Sequence, residues 1–189
     1  MPDWSEWEKA IDTKLNQLNH MGTWELVDPL AEAIPIANKW VLLKKFNKEG
    51  ILVKYKARLV AKGCAQRPGY DFMETFSPVV CLKMIRAILA LIPGKNLKVQ
   101  QIDVKGAYLN GLLSERVYMK QLEGYDDGTG CVCCLIKTLY GLKQAGREWN
   151  QMLDQCLKGI NFNNFFLILA LMYNATNQEE RILKLLLFG

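Results

Sequence analysis

Residues 97–111 have the sequence LKVQQIDVKGAYLNG, and the rest of the chain is arranged around this stretch. Apolar and polar residues alternate up to Asp103, which predicts a half-buried strand that ends at an acidic residue. A turn-prone Lys105-Gly106-Ala107 follows, and Tyr108 lies shortly after it. A carboxylate at such a strand end can hold a metal ion, or it can cap the short helix that follows. The stretch taken alone leaves both interpretations open.

The composition is that of one folded domain, or of a piece of a larger one. Half of the 189 residues are hydrophobic and 23% are charged, which allows a core and excludes wholesale disorder. The net charge of +5 is unevenly distributed, because residues 39–67 contain nine Lys or Arg and one acid, Glu49. The other residues therefore sum to −3, which is +5 minus +8. This local basic excess predicts a polyanionic partner for residues 39–67.

The six cysteines occur without a signal peptide, which predicts reduced thiols and an intracellular location, cytoplasmic or nuclear, rather than secretion. Cys131, Cys133 and Cys134 do not have the spacing of a zinc site, and His20 is distant from them in sequence. The longest apolar run, residues 165–173, is too short to span a bilayer. No membrane partner is therefore expected.

Hydrophobic periodicity predicts an α+β fold. Residues 4–20 are expected to form an amphipathic helix and residues 23–27 a short strand. Residues 39–47 and 52–62 flank a Lys48-Glu49-Gly50 turn, which predicts a β-hairpin. The later predicted elements are a buried helix over 82–92 ended by Pro93-Gly94, the Asp103 strand, a short helix up to 113, strands near 116–120 and 131–137, and a long helix over 139–157.

The second strand of the hairpin has two chemically different faces. One face carries Lys54, Lys56, Arg58 and Lys62, and the other carries Val53, Tyr55, Ala57, Leu59 and Ala61. Lysines are common on the solvated face of a sheet, but four cations on one face repel each other unless an anion is close. We therefore favour a phosphate-binding surface, since backbone phosphates dominate nucleic-acid affinity.

Six segments, in order, resemble the reverse transcriptase domain of copia-type LTR retrotransposons: KWVLLKKFN, YKARLVAKG, DFMETFSPVV, QIDVKGAYLNG, VYMKQLEGY and LYGLKQAGREW. The resemblance extends from about Trp4 to Trp149. It implies a right-hand polymerase with fingers and a partial palm, built as an antiparallel sheet with packed helices. The implied division places residues 1–80 and 112–138 in the fingers and residues 81–111 and 139–189 in the palm.

The resemblance also implies RNA-directed DNA synthesis with Mg²⁺, an RNA template, a DNA primer and deoxynucleoside triphosphates, within a Pol polyprotein. Asp103 resembles the catalytic, metal-binding carboxylate, and Tyr108 resembles the aromatic residue that excludes a 2′-hydroxyl. Lys56 and Arg58 resemble cations that meet the triphosphate, and Gln144 resembles a polar residue of the nucleotide pocket. Phosphoryl transfer requires this kind of positioning and charge neutralisation. The residues assigned to nucleic acid are Lys54 and Lys62.

One part of the family pattern does not occur in these residues. The second pair of metal carboxylates lies in a Tyr-x-Asp-Asp hairpin, and no such sequence follows Gln144, although residues 185–189 resemble the strand that leads into it. Tyr125-Asp126-Asp127 precedes the LKQA segment and is expected to be a solvated turn. We therefore expect this chain, truncated before that motif, to be inactive as a polymerase on its own. Two alternatives remain, a nucleic-acid-binding fragment without turnover and a decayed retroelement relic.

Overall fold

An N-terminal helix packs on the basic hairpin, and both share a core with a three-stranded antiparallel sheet. The computed structural model describes residues 3–79, 81–95, 98–159, 171–173 and 182–187. The helices are α1 (Trp4–His20), α2 (Leu82–Lys95) and α3 (Ala145–Gly159), with 3-10 turns at Gly63–Ala65 and Ala107–Asn110. The strands are β1 (Trp24–Val27), β2 (Asn38–Phe46), β3 (Leu52–Ala61), β4 (Lys98–Asp103), β5 (Leu112–Met119), β6 (Val132–Lys137), β7 (Leu171–Tyr173) and β8 (Ile182–Leu187).

The strands form three hydrogen-bonded sheets. One is antiparallel with the order β1-β6-β5, and a second is the β2–β3 hairpin. The third has the order β4-β8-β7, in which β4 and β8 run parallel, so that Asp103 lies opposite Leu187. Parallel pairing needs a long crossover, which the chain between β4 and β8 provides. The predicted α+β class is confirmed, and the β4–β8 pair departs from the predicted antiparallel pairing.

The main core lies between α1, the inner face of β3 and the β1-β6-β5 sheet. Its fully buried members include Leu18 of α1, Leu59 of β3 and Leu139. The apolar stripe of α1 supplies this contact, as the helical spacing of its apolar residues predicts. The inner face of β3 is buried from Ala57 onward, whereas Val53 is 66% exposed near the hairpin turn. The basic face of β3 is therefore held on a firmly packed strand.

Three predicted helices differ from the structure, two of them between residues 82 and 113. The helix predicted over 82–92 continues through Pro93 to Lys95, because proline in the last turn removes only one backbone hydrogen bond. The prediction that it is buried is wrong for its described side chains, since Leu89 is 43% and Leu91 55% exposed. Apolar composition predicts that a helix needs a partner surface, but it does not supply one. The short helix predicted up to Leu113 is a 3-10 turn that ends at Asn110, after which β5 begins.

The long helix predicted over 139–157 begins six residues later, at Ala145. Tyr140 and Gly141 instead run alongside β3, and the Ala61 N–H donates to the Tyr140 carbonyl over 2.8 Å. Gly141 has a φ of +93°, a conformation that excludes it from a right-handed helix. A Cβ at Gly141 would collide with the Ala61 carbonyl oxygen, so the two backbones approach as closely as only glycine allows.

The Tyr125-Asp126-Asp127 segment is an exposed turn, as predicted. The Asp126 carboxylate accepts a hydrogen bond from the Gly128 N–H, and the Asp127 carboxylate accepts bonds from Thr129 and Gln121. Tyr125 donates its hydroxyl proton to Asp12 of α1 over 3.1 Å. These carboxylates stabilise the turn itself.

Candidate functional site

A cleft of about 730 Å³ lies where α1, β3 and the turn after β4 meet. From β3 it is lined by Lys54, Lys56 and Arg58, and from the turn by residues 104–106. Those three turn residues directly follow Asp103, the last residue of β4. The fold thus brings the basic strand next to the strand end that carries Asp103, although the two are more than forty residues apart in sequence.

The cleft carries a strong excess of positive charge. Among the described lining residues the one acid is Glu6, which is paired with Lys9 over 2.8 Å. Like charges gathered around one concave surface create a field that attracts anions. The cations that line the cleft are Lys9, Lys14, Lys45, Lys54, Lys56, Arg58 and Lys105.

Tyr140 connects two of the predicted substrate-binding residues. The Arg58 guanidinium lies 5.9 Å from the centre of the Tyr140 ring, within the range of a cation–π interaction. The Tyr140 and Tyr108 rings meet edge to face, with their centres 5.0 Å apart. The backbone of Tyr108 is held in turn by the Thr138 hydroxyl, which donates to its carbonyl. Sequence reasoning did not select Tyr140, although it lies within the LYGLKQAGREW segment.

Gln144 is fully buried and does not line the described cleft. Its Oε1 accepts a hydrogen bond from Gln66 Nε2 over 2.9 Å, and its Nε2 donates to the Asp71 carbonyl over 2.9 Å. Gln66 Oε1 also accepts from the Lys143 N–H over 2.8 Å. The assignment of Gln144 to the nucleotide pocket stays a prediction. Sequence reasoning missed Gln66, because nothing in a lone loop glutamine indicates a partner 78 residues away.

Two further predicted residues lie outside the cleft or outside what the structure describes. Lys62 follows the last residue of β3, its side chain is exposed, and it is not among the described residues that line the cleft. Asp103 ends β4 as predicted, but its side chain lies outside the described part of the chain. The assigned roles of both residues remain predictions.

A family model described as Reverse transcriptase (RNA-dependent DNA polymerase) matches residues 21–187. The chain belongs to this reverse transcriptase family. Over 161 residues the domain is 42% identical to the Retrovirus-related Pol polyprotein from transposon RE2 of Arabidopsis thaliana, covering 84% of the chain and 11% of that protein. It is 43% identical over 159 residues to the corresponding polyprotein from transposon TNT 1-94 of Nicotiana tabacum, covering 83% and 12%. It is 30% identical over 168 residues to the Transposon Ty1-NL2 Gag-Pol polyprotein of Saccharomyces cerevisiae, covering 82% and 9%.

These relatives confirm the resemblance to the reverse transcriptase domain of copia-type elements. The chain spans about a tenth of the length of these three polyproteins. Helix α1 precedes the residues that the family model matches. No solved structure gives a significant match. Within the described residues, no helix is long and apolar enough to cross a membrane.

Reverse transcriptases use divalent metal ions. Magnesium binds through one or two carboxylates, several waters and the phosphates of a substrate. Among the side chains that the structure describes, no group of three His, Cys, Asp or Glu is placed to hold a metal ion. Asp103, whose side chain is not among those described, stays the predicted carboxylate ligand of the metal ion.

Proposed function

We propose that this domain acts in RNA-directed DNA synthesis and that its basic cleft receives the triphosphate of the incoming deoxynucleotide. The observation that carries the proposal is the position of Lys54, Lys56 and Arg58 across one cleft from residues 104–106, which directly follow Asp103. Membership of the reverse transcriptase family supports it. A triphosphate in this cleft meets several cations at once, as phosphoryl transfer requires.

Within this proposal, Arg58 and Lys56 bind the phosphates in different ways. Arg58 offers two parallel N–H donors to a phosphate, whereas Lys56 acts as a point charge. The Tyr140 ring holds the Arg58 guanidinium from one side. Tyr108 packs on that ring and is assigned to the sugar of the nucleotide, where it opposes a 2′-hydroxyl.

The other assignments concern the polymer and the metal. Lys54 and Lys62 are assigned to the phosphates of the RNA template and DNA primer. Asp103 is assigned as one carboxylate ligand of Mg²⁺, with further ligands coming from outside the described side chains. Gln144 is assigned to the nucleotide pocket on the family resemblance, and its side chain is fixed by hydrogen bonds to Gln66 and to the Asp71 carbonyl. In this proposal residues 1–80 and 112–138 act as fingers, residues 81–111 and 139–189 act as palm, and the domain functions within a Pol polyprotein.

Equilibrium binding of dTTP to the purified chain tests the nucleotide site. Removal of the Arg58 charge in Arg58→Gln is expected to weaken dTTP binding by about tenfold or more, since a charge-assisted contact is lost. The matched control is Arg116→Gln, because Arg116 is exposed on β5 and is not among the cleft residues. That control is expected to bind dTTP within about twofold of the unaltered chain.

Equal dTTP affinity of the unaltered chain and Arg58→Gln contradicts the nucleotide site. If Arg58→Gln binds dTTP normally but loses affinity for single-stranded RNA, the hairpin is a nucleic-acid-binding surface without a nucleotide pocket. Primer-template and dTTP titrations on the same preparations separate these two results.

A further inference from the structure

Helix α1 forms one wall of the basic cleft, although it precedes the residues matched by the family model. Its cleft-facing residues recur at intervals of three and four, which places them on one face of the helix. The helix also packs directly on β3, where Trp7 and Tyr55 meet edge to face with their ring centres 4.6 Å apart. The cleft residues of α1 are Glu6, Lys9, Ala10, Thr13, Lys14 and Gln17.

Lys14 is a half-buried cation that faces two other cations across the cleft. Burial, together with the positive charges of Lys56 and Arg58, lowers the pKa of Lys14 to about 8. Among the ion pairs of the described residues, none involves Lys14. Three cations that line one space, with none of the described carboxylates paired to Lys14, favour an anion at this point.

Gln17 fixes the position of Lys14 and links it to the turn after Asp103. The Lys14 ammonium donates to Gln17 Oε1 over 3.0 Å. The Gln17 amide nitrogen lies against Gly106, only 3.0 Å from the place that a Cβ would occupy. Gly106 has a φ of +64°, so both its backbone conformation and this contact favour glycine. Lys14 is therefore held between the basic strand and the turn that follows Asp103.

We propose that Lys14 is a third phosphate-binding side chain, which acts with Lys56 and Arg58 on one phosphate group of a polyphosphate ligand. The inference rests on the proposed nucleotide site, because it places α1 on the opposite side of the same triphosphate. It extends that site to α1, which precedes the residues that the family model matches. Lys14 contributes to ligand affinity through this contact, and Gln17 is a positioning residue that directs it.

Calorimetric titration of the 189-residue chain with inorganic triphosphate and with dTTP at pH 7 tests this assignment. Lys14→Gln is expected to weaken the binding of both ligands by about tenfold, as for the loss of one charge-assisted contact. Lys14→Arg keeps the charge and is expected to bind within about threefold of the unaltered chain. The matched control is Lys48→Gln, because Lys48 is an exposed lysine in the hairpin turn outside the cleft.

The pH dependence provides a second readout that does not depend on removing the side chain. Raising the pH from 7 to 9 removes the Lys14 charge and is expected to weaken triphosphate binding several-fold in the unaltered chain, but less in Lys14→Arg. The other ionisable groups around the cleft are the same in both proteins. They are Glu6, Lys9, Lys45, Lys54, Tyr55, Lys56, Arg58, Lys105 and Tyr140.

The outcomes separate this inference from the proposed function. If Arg58→Gln weakens binding whereas Lys14→Gln stays within twofold of the unaltered chain, the role of Lys14 is refuted and the nucleotide site stands. If the unaltered chain and Arg58→Gln bind triphosphate equally, both assignments fail. A pH profile that is identical in the unaltered chain and in Lys14→Arg also refutes the role of Lys14, even if Lys14→Gln does not fold.

Discussion

At the scale of single residues, Lys14 is held where its charge is unfavourable. Its pKa falls from 10.5 to about 8 on folding, so between these values the unfolded chain binds more protons and stability rises with pH. Below pH 8 Lys14 is charged in both the folded and the unfolded chain, so its charge destabilises the folded state by the full amount. Lys14→Met is therefore expected to stabilise the free protein at pH 7 by roughly 1 to 2 kcal/mol, after allowance for solvent screening and the lost bond to Gln17.

Urea unfolding at pH 7 and at pH 10 measures this effect. The difference between Lys14→Met and the unaltered chain is expected to shrink at pH 10, where Lys14 is largely neutral in the folded state. A variant that is less stable than the unaltered chain at both pH values would contradict the unfavourable environment of Lys14.

Asp71 is the opposite case, a carboxylate whose charge is favoured. Arg67 donates to it from its backbone N–H over 2.7 Å, from Nε over 3.1 Å and from Nη2 over 3.0 Å. These bonds to Arg67 lower the pKa of Asp71. Its contribution to stability is therefore present above the unfolded pKa, 3.8, and is lost as the pH falls through the folded pKa. Asp71→Asn is expected to cost about 1 to 2 kcal/mol at pH 7 and less at pH 3, measured by chemical denaturation.

At the scale of secondary-structure elements, β3 and residues 140–141 approach each other closely near the site. Gly141→Ala combines a positive φ with a collision against the Ala61 carbonyl, and is expected to cost about 3 kcal/mol or more. Gly50→Ala is the control, because Gly50 has a φ of +78° but open space around it. That control is expected to cost about 1 to 2 kcal/mol in thermal unfolding. If Gly141→Ala and Gly50→Ala destabilise the protein equally, the strain at Gly141 comes from its positive φ alone and not from the collision with Ala61.

The packing of α1 on β3 positions one wall of the cleft. Trp7 is 7% exposed and contacts Tyr55, whereas Trp4 is 53% exposed on the same helix. Trp7→Ala is expected to destabilise the protein by about 3 to 5 kcal/mol and to weaken dTTP binding, because α1 is no longer held against the basic strand. Trp4→Ala is expected to change stability by no more than about 0.5 kcal/mol. Thermal unfolding and dTTP titration of the two variants check both effects.

At the scale of the whole molecule, the basic excess of residues 39–67 makes nucleic-acid binding salt-dependent. Neutralising Lys54 and Lys62 together is expected to reduce the slope of log affinity against log salt by about 1.4 to 1.8. Neutralising Lys83 and Lys120, which are exposed elsewhere, is expected to leave that slope nearly unchanged. Filter binding of a primer-template between about 50 and 200 mM NaCl measures both slopes. Equal slopes in the two double variants would argue against the basic strand as the polymer-binding surface.

Polymerisation is also a property of the whole molecule. The 189 residues contain Asp103 but no Tyr-x-Asp-Asp sequence after Gln144. An in-line displacement with two metals needs carboxylates to clamp both ions. The purified 189-residue chain is therefore expected to bind a primer-template without extending it. Filter binding measures the first property, and homopolymer primer extension in Mg²⁺ measures the second. Incorporation that is abolished by Asp103→Asn would overturn this expectation.

The sequence by itself determined the elements whose signals are local. Helix α1 and the β2–β3 hairpin follow from the spacing of apolar residues and from the glycine in the hairpin turn, and both have nearly the predicted bounds. The end of β4 at Asp103 was equally visible, because a strand that alternates and then stops at a turn needs no distant partner for its recognition. Side-chain periodicity shows which face of an element is apolar, and it can be read from the sequence without knowledge of the fold.

Only the tertiary structure decided which elements meet. It placed Tyr140 between Arg58 and Tyr108, it paired Gln144 with Gln66, and it directed Lys14 at the basic strand. It also moved the start of α3 from the predicted residue 139 to Ala145, because Gly141 makes a close backbone contact with β3. The physical reason is that the periodicity of one element does not specify the partner that covers it. Contacts between residues distant in sequence become defined only when the elements pack together.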